Sequence, residues 1–217
     1  MKVLYIRLAR AIWLVDWREL NPHGIDILPV VEALKNRYSF QSYPTKPEEM
    51  SEFDPKGIVF MNGSFATGTG QRHTIVKATI FGDGIVVDSA LSTDFCEFVL
   101  GDALGFLSNQ FGLTYRPGMV HKKLYISEMI IQTDKDLLRL FDPLSIVWKK
   151  LDDLTGMPFQ PAGFGFGIDP DAPGAKRVAF AFEREVGKPF SQGRYFSSSP
   201  LQTNQHENLL QQLEELL

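Results

Sequence analysis

Lys77, Asp83, Asp88 and Glu97 are the residues of this chain whose types come nearest to a reaction. Three carboxylates and a lysine gathered at a sheet edge are what two-metal phosphoryl chemistry requires. Their spacing matches no diagnostic motif, and Asp83 stands before a glycine, where a turn explains it equally well. His23, His73, His121 and His206 offer a second chemistry, a histidine acting with Ser64, Ser89 or Ser127 and a nearby aspartate on an ester or phosphate. The histidines are far apart in sequence. Asn62-Gly63-Ser64-Phe65 resembles a nucleophile turn only in part, and no Gly-x-Ser-x-Gly elbow occurs. Cys96 falls early in a helical pattern, where the helix dipole would lower a thiol pKa, but Phe95 and Phe98 beside it favour a buried, inert side chain.

Gly163-Phe164-Gly165-Phe166-Gly167 has the glycine content of a phosphate cradle without its context. A cradle leads into a helix N-terminus, whereas here Ile168, Pro170 and another strand pattern follow, with no Gly-Lys-Ser/Thr. Glycine beside bulky rings is expected instead to allow close backbone packing or a bulge. Asp169 and Asp171 lack the further oxygen ligands of a calcium loop and read as turn residues. Arg177, Glu183, Arg184 and Arg194 crowd the end of the same stretch. A solvated charged face is the plain reading. A site for a carboxylate, a phosphate or an acidic partner is the functional one, since the planar guanidinium suits bidentate contact.

These residues need elements to position them. Phe164 and Phe166, and Phe180 and Phe182, are spaced two apart, so each pair lies on one side of a strand. Pro170, Pro173 and Gly174 between them predict a β-hairpin with an aromatic face. Residues 2–17 fit both helix and strand periodicity, and their β-branched and aromatic content tips them towards strand. A helix is expected over 25–38 with Asp26 as its cap, and a short strand over 39–43. Strands are expected over 57–61, ending at an Asn62-Gly63 turn, then over 74–81 and 85–88 around an Asp83-Gly84 hairpin turn. A helix opens with capping-box spacing at Asp94 and Glu97 and stops at Gly112. After a strand over 123–133, helical segments follow. In the second, opened by Asp142-Pro143, Leu144, Val147, Leu151 and Leu154 form the side expected to be buried. A last helix is expected from Asn204, with leucines 209, 210, 213, 216 and 217 crowding one face against a sheet.

Together these elements predict an α+β fold: a mainly antiparallel sheet of about six to seven strands with helices packed on it, without Rossmann or P-loop topology. At 217 residues one globular domain spanning 1–217 is expected, with 44–56 the place to look for a boundary. Seventeen phenylalanines imply a core filled by rings. A net charge of −4 argues against a general nucleic-acid binder, which displaces counterions with a basic face. Single-strand stacking on Phe164, Phe166, Phe180 and Phe182 would need those rings exposed. The single cysteine excludes an internal disulfide or a multi-cysteine zinc site and fits a reducing cytoplasm. Arg7, Arg10 and Asp16 interrupt the apolar start, so neither a signal peptide nor a membrane span is expected. No cofactor or metal is called for. The reading that survives is a prokaryote-type cytoplasmic protein that works by binding, to itself or to a protein partner. A hydrolase of a phosphate or ester is the alternative.

Overall fold

The computed structural model describes residues 1–51, 54–68, 70–169, 171 and 179–216, apart from the side chain of Leu137. Among the described residues eight strands and five α-helices follow one another. They are β1 (Lys2–Leu14), α1 (Trp17–Leu20), α2 (Ile27–Tyr38), β2 (Ile58–Ala66), β3 (Arg72–Phe81), β4 (Gly84–Ser89) and α3 (Thr93–Phe111). Then come β5 (Lys122–Gln132), α4 (Ser145–Thr155), β6 (Gly163–Gly167), β7 (Ala179–Arg184), β8 (Arg194–Ser199) and α5 (Thr203–Glu215). The strand order is β2-β3-β4-β1-β5-β8-β7-β6, so the class is α+β with eight strands rather than six or seven. None of the described helices is long and apolar enough to cross a membrane.

The chain divides into two compact units, and β1 and β5 each contribute to both. The unit of Leu8–Ser127 and Leu201–Thr203 holds the meander β2-β3-β4, antiparallel throughout, with β4 also antiparallel to β1. Its β3–β4 register pairs Phe81 with Gly84, so the two-residue loop is Gly82-Asp83. The turn expected at Asp83-Gly84 is thus displaced by one residue, and Gly84 is already a ladder residue opposite Leu14. Asn62-Gly63 is no turn either. Strand β2 runs through it, bending at Asn62, whose φ of 55° lies in the left-handed region that asparagine tolerates better than most residues. Residues 39–43 contribute an isolated bridge, Ser42 to Met61, instead of a strand.

Local signals set the helix starts. Asp26 accepts a hydrogen bond from the Leu28 amide at 3.0 Å and caps α2. Helix α3 is capped two residues before the expected Asp94, by Ser92, which accepts from the Phe95 amide at 3.1 Å. Glu97 is thereby released from any capping box. Its carboxylate accepts from Trp13 Nε1 at 3.2 Å, Lys123 Nζ at 2.7 Å and the Tyr125 hydroxyl at 2.8 Å.

The unit of Met1–Arg7, Glu128–Pro200 and Asn204–Leu217 holds the antiparallel ladder β6-β7-β8. Its core is Met129, Ile131, Leu138, Phe182, Tyr195 and Leu210. Helix α5 begins one residue before Asn204 and buries Leu210, while Leu209 and Leu216 are exposed and Leu217 lies outside the described residues.

The segment 137–155 departs furthest from expectation. A 3-10 helix, Leu137–Leu144, takes in Pro143, and α4 starts only at Ser145 without a side-chain cap. Leu144, Val147, Leu151 and Leu154, expected on the buried side, are 53%, 56%, 39% and 71% exposed. The half-buried positions of α4 are Ser145, Trp148 and Asp152, which form one stripe at helical spacing. Apolar periodicity correctly says which side chains share a face, but it does not say that the face is covered.

Candidate functional site

Alternation along β7 places Phe180, Phe182 and Arg184 on one side and Glu183 on the other, where it is exposed. The register pairs Phe164 with Phe182 and Phe166 with Phe180, so all four rings share a side. Ring centroids are 5.4 Å apart for Phe164–Phe182 and 5.9 Å for Phe166–Phe180. Burial falls outward along this row. Phe182 is fully buried, Phe164 and Phe180 are partly buried against the core, and Phe166 is 65% exposed. A stacking platform of four open rings is therefore reduced to Phe166. Gly163 has the role expected of it: a Cβ there would lie 2.4 Å from the Phe182 carbonyl oxygen.

Arg184 shares the ring side and does not lie on a solvated face; its side chain is only 8% exposed. The guanidinium lies 4.2 Å from the Phe190 ring centroid and 5.6 Å from that of Tyr195. Its Nε donates to the Pro161 carbonyl at 3.2 Å, and its two terminal nitrogens donate to the Phe190 carbonyl at 3.4 Å and the Asp136 carboxylate at 3.2 Å. The Tyr195 hydroxyl donates to the same Asp136 oxygen at 3.3 Å, and that oxygen also caps the 3-10 helix at Leu138. One planar fork thus ties the loop before β6, the turn before β8 and the start of the 3-10 helix after β5 together. Sequence signalled the arginine but not Asp136, Phe190 or Tyr195, because these partners come from separate stretches. Beside them opens a cavity of about 910 Å³, lined also by Lys2, Lys135 and three glutamines. It offers hydrogen-bond donors and acceptors, and among the described residues no histidine or cysteine lines it. Arg194 is paired with Glu185, whose backbone amide donates to the Arg194 carbonyl at 3.0 Å. Arg177 and the hairpin turn of Pro170, Pro173 and Gly174 lie outside the described residues.

The hydrolytic candidates do not converge. Lys77 and Asp88 face each other across β3 and β4, but Arg10 grips Asp88 with two hydrogen bonds, at 2.6 and 2.8 Å. Glu97 is taken up by Trp13, Lys123 and Tyr125. Burial opposes its ionisation, but hydrogen bonds from Lys123 and Tyr125 outweigh this and hold the carboxyl below its ordinary range. The same balance governs Asp102, where burial is overcome by hydrogen bonds from Arg37 and Tyr38. Among the described residues no group of three or more acidic, histidine or cysteine side chains could hold a metal ion.

The histidines are similarly dispersed. His23 and His121 are exposed, the latter 3.8 Å from Glu19, and His73 packs its ring edge-on to Phe95. Only His206 meets a serine, with Nε2 lying 2.8 Å from Ser197 Oγ. Ser197 donates its single proton to the Ala181 carbonyl at 3.0 Å, so the histidine nitrogen must be the donor in this pair. A ring that donates to the serine does not deprotonate it, and both side chains are fully buried. Cys96 is also fully buried, with its thiol donating to the Ala9 carbonyl, and burial followed by the Asp88 charge pushes its pKa up to about 12. At pH 8 the folded protein should therefore react with a thiol reagent about 1,000-fold more slowly than the urea-unfolded chain. Equal rates in a colorimetric thiol assay would contradict the burial.

The surface feature that sequence reasoning placed wrongly is apolar. Among the described residues twenty large apolar side chains are exposed, and ten of them fall between Leu140 and Ile168. Helix α4 supplies Ile146, Val147, Leu151 and Leu154, and Met157 and Phe159 follow it. The Phe159 amide donates to Asp152, folding the chain back along the helix end. Comparison with protein-family models and with curated proteins finds no match.

Proposed function

We propose that this chain is a cytoplasmic, non-catalytic binding protein that acts by associating with itself or with a protein partner through the apolar surface of residues 140–168. The observation that carries this reading is the outward stripe of α4, with Val147 56% and Leu154 71% exposed. Soluble proteins rarely leave such side chains contiguous unless another surface covers them. Full burial of one aliphatic side chain contributes about 1.5–3 kcal/mol, so two or three such residues suffice for a measurable complex. The dispersed histidines, the donor role of His206 and the shielded Cys96 favour binding over hydrolysis.

The test is light scattering of the purified chain together with affinity retention of partners, comparing the natural protein with Leu154→Glu. Association is expected in the natural protein and a loss of at least about tenfold in affinity in the variant, with an unchanged circular dichroism spectrum. A strictly monomeric chain that retains no protein would sink the proposal.

A further inference from the structure

We infer that the surface covering α4 is a second copy of this chain, with the two helices antiparallel across a two-fold axis. The inference rests on the proposed binding role of that surface and adds its occupant and register. Two residues four apart carry it. Lys149 and Asp153 lie on one edge of the outward stripe formed by Ile146, Val147 and Leu154; both are exposed, and among the described residues neither forms an ion pair. Within the helix they are arranged lysine first, the weaker orientation for a pair four residues apart.

An antiparallel two-fold brings an edge of the helix against the same edge of its copy with the sequence reversed. With Leu151 at the centre, Lys149 of each copy stands opposite Asp153 of the other, and symmetry makes the pair twice. A parallel two-fold would carry this edge to opposite sides of the interface in the two copies and leave Lys149 and Asp153 unpaired across it, so the charges select the antiparallel arrangement. The apolar stripes then meet beside this charged seam, and Lys150, which lies within the stripe, reaches past them with its aliphatic stem. An eleven-residue helix is about 16 Å long, which by itself makes a small interface. The dimer is accordingly expected at roughly tens of micromolar.

Sedimentation velocity on the full chain tests this with Lys149→Asp and Asp153→Lys. Each variant alone turns two attractions into two repulsions, and its dimerisation should weaken about 30-fold. An equimolar mixture should recover a dimer of one of each, because all opposed charges are again unlike, and recovery also shows that both variants fold. The double variant should dimerise with itself. A natural chain that dimerises with indifference to both swaps, or a mixture that stays monomeric, overturns the inference. A monomeric chain that loses a retained protein partner on Leu154→Glu overturns the second copy while leaving the binding reading intact. A monomeric chain that sediments with phosphatidylcholine–phosphatidylserine vesicles overturns both.

Discussion

Replacing Arg184 with alanine is expected to lower the stability of the chain by about 3 kcal/mol. For a protein of this length that corresponds to a fall in Tm of about 6–12 °C in calorimetry or a thermal melt. The cost arises less from the ion pair than from what the guanidinium satisfies. Asp136 is half exposed, so water replaces the arginine there at little expense. The carbonyl of Pro161 loses its donor, that of Phe190 keeps only the Gly193 amide, and the rings of Phe190 and Tyr195 lose the guanidinium that lies over them. Two companion variants separate these contributions. Asp136→Asn should cost no more than about 1 kcal/mol, since it removes only the exposed pair. Arg184→Lys should cost about 2 kcal/mol, because an ammonium restores the charge but not the fork or the stacking. If Asp136→Asn proved as damaging as Arg184→Ala, the ion pair, and not the carbonyls and rings, would be what Arg184 contributes.

Gly193→Ala should be of comparable severity, at about 3–4 kcal/mol. Gly193 has a φ of 57°, and a Cβ built on it would fall 2.0 Å from the Thr133 carbonyl oxygen. That oxygen belongs to backbone held in place by the Thr133 amide, which donates to the Gly193 carbonyl at 3.0 Å, so neither side can withdraw cheaply. Gly156, which ends α4, supplies the control. Its φ is 71°, yet nothing lies within 4 Å of where a Cβ would stand, so Gly156→Ala should cost only about 1 kcal/mol. Urea midpoints of the two variants, read at constant slope, give the comparison directly. Equal midpoints would mean that the left-handed backbone alone, and not the contact with Thr133, makes glycine necessary at 193.

Both sites show why part of this molecule was legible in its sequence and part was not. Local signals were reliable where the interaction is itself local. Asp26 caps α2 because the amide it reaches is two residues away, and the alternation of Phe164, Phe166, Phe180 and Phe182 follows from the geometry of a single strand. The β3–β4 hairpin was visible for the same reason, to within one residue of its turn. Arg184 illustrates the other case. Its charge suggested a solvated face, and its burial depends on Asp136, Phe190 and Tyr195, which no spacing rule connects to it. Leucines 144, 151 and 154 and Val147 were misplaced by a related gap, since an amphipathic pattern gives the direction of an apolar face but not what occupies the space beyond it. In Glu97 the two kinds of information competed. Its position suited a cap, and the long-range bonds to Trp13, Lys123 and Tyr125 claimed it instead.

The enclosure of Cys96 has a practical consequence. As the one thiol in the sequence, and with its ionisation suppressed, it leaves the surface chemically silent towards maleimides near neutral pH. A cysteine introduced on α4 would then be the sole site of modification. A fluorophore, spin label or cross-linker attached there would report on that helix alone, without first deleting a native residue from the core.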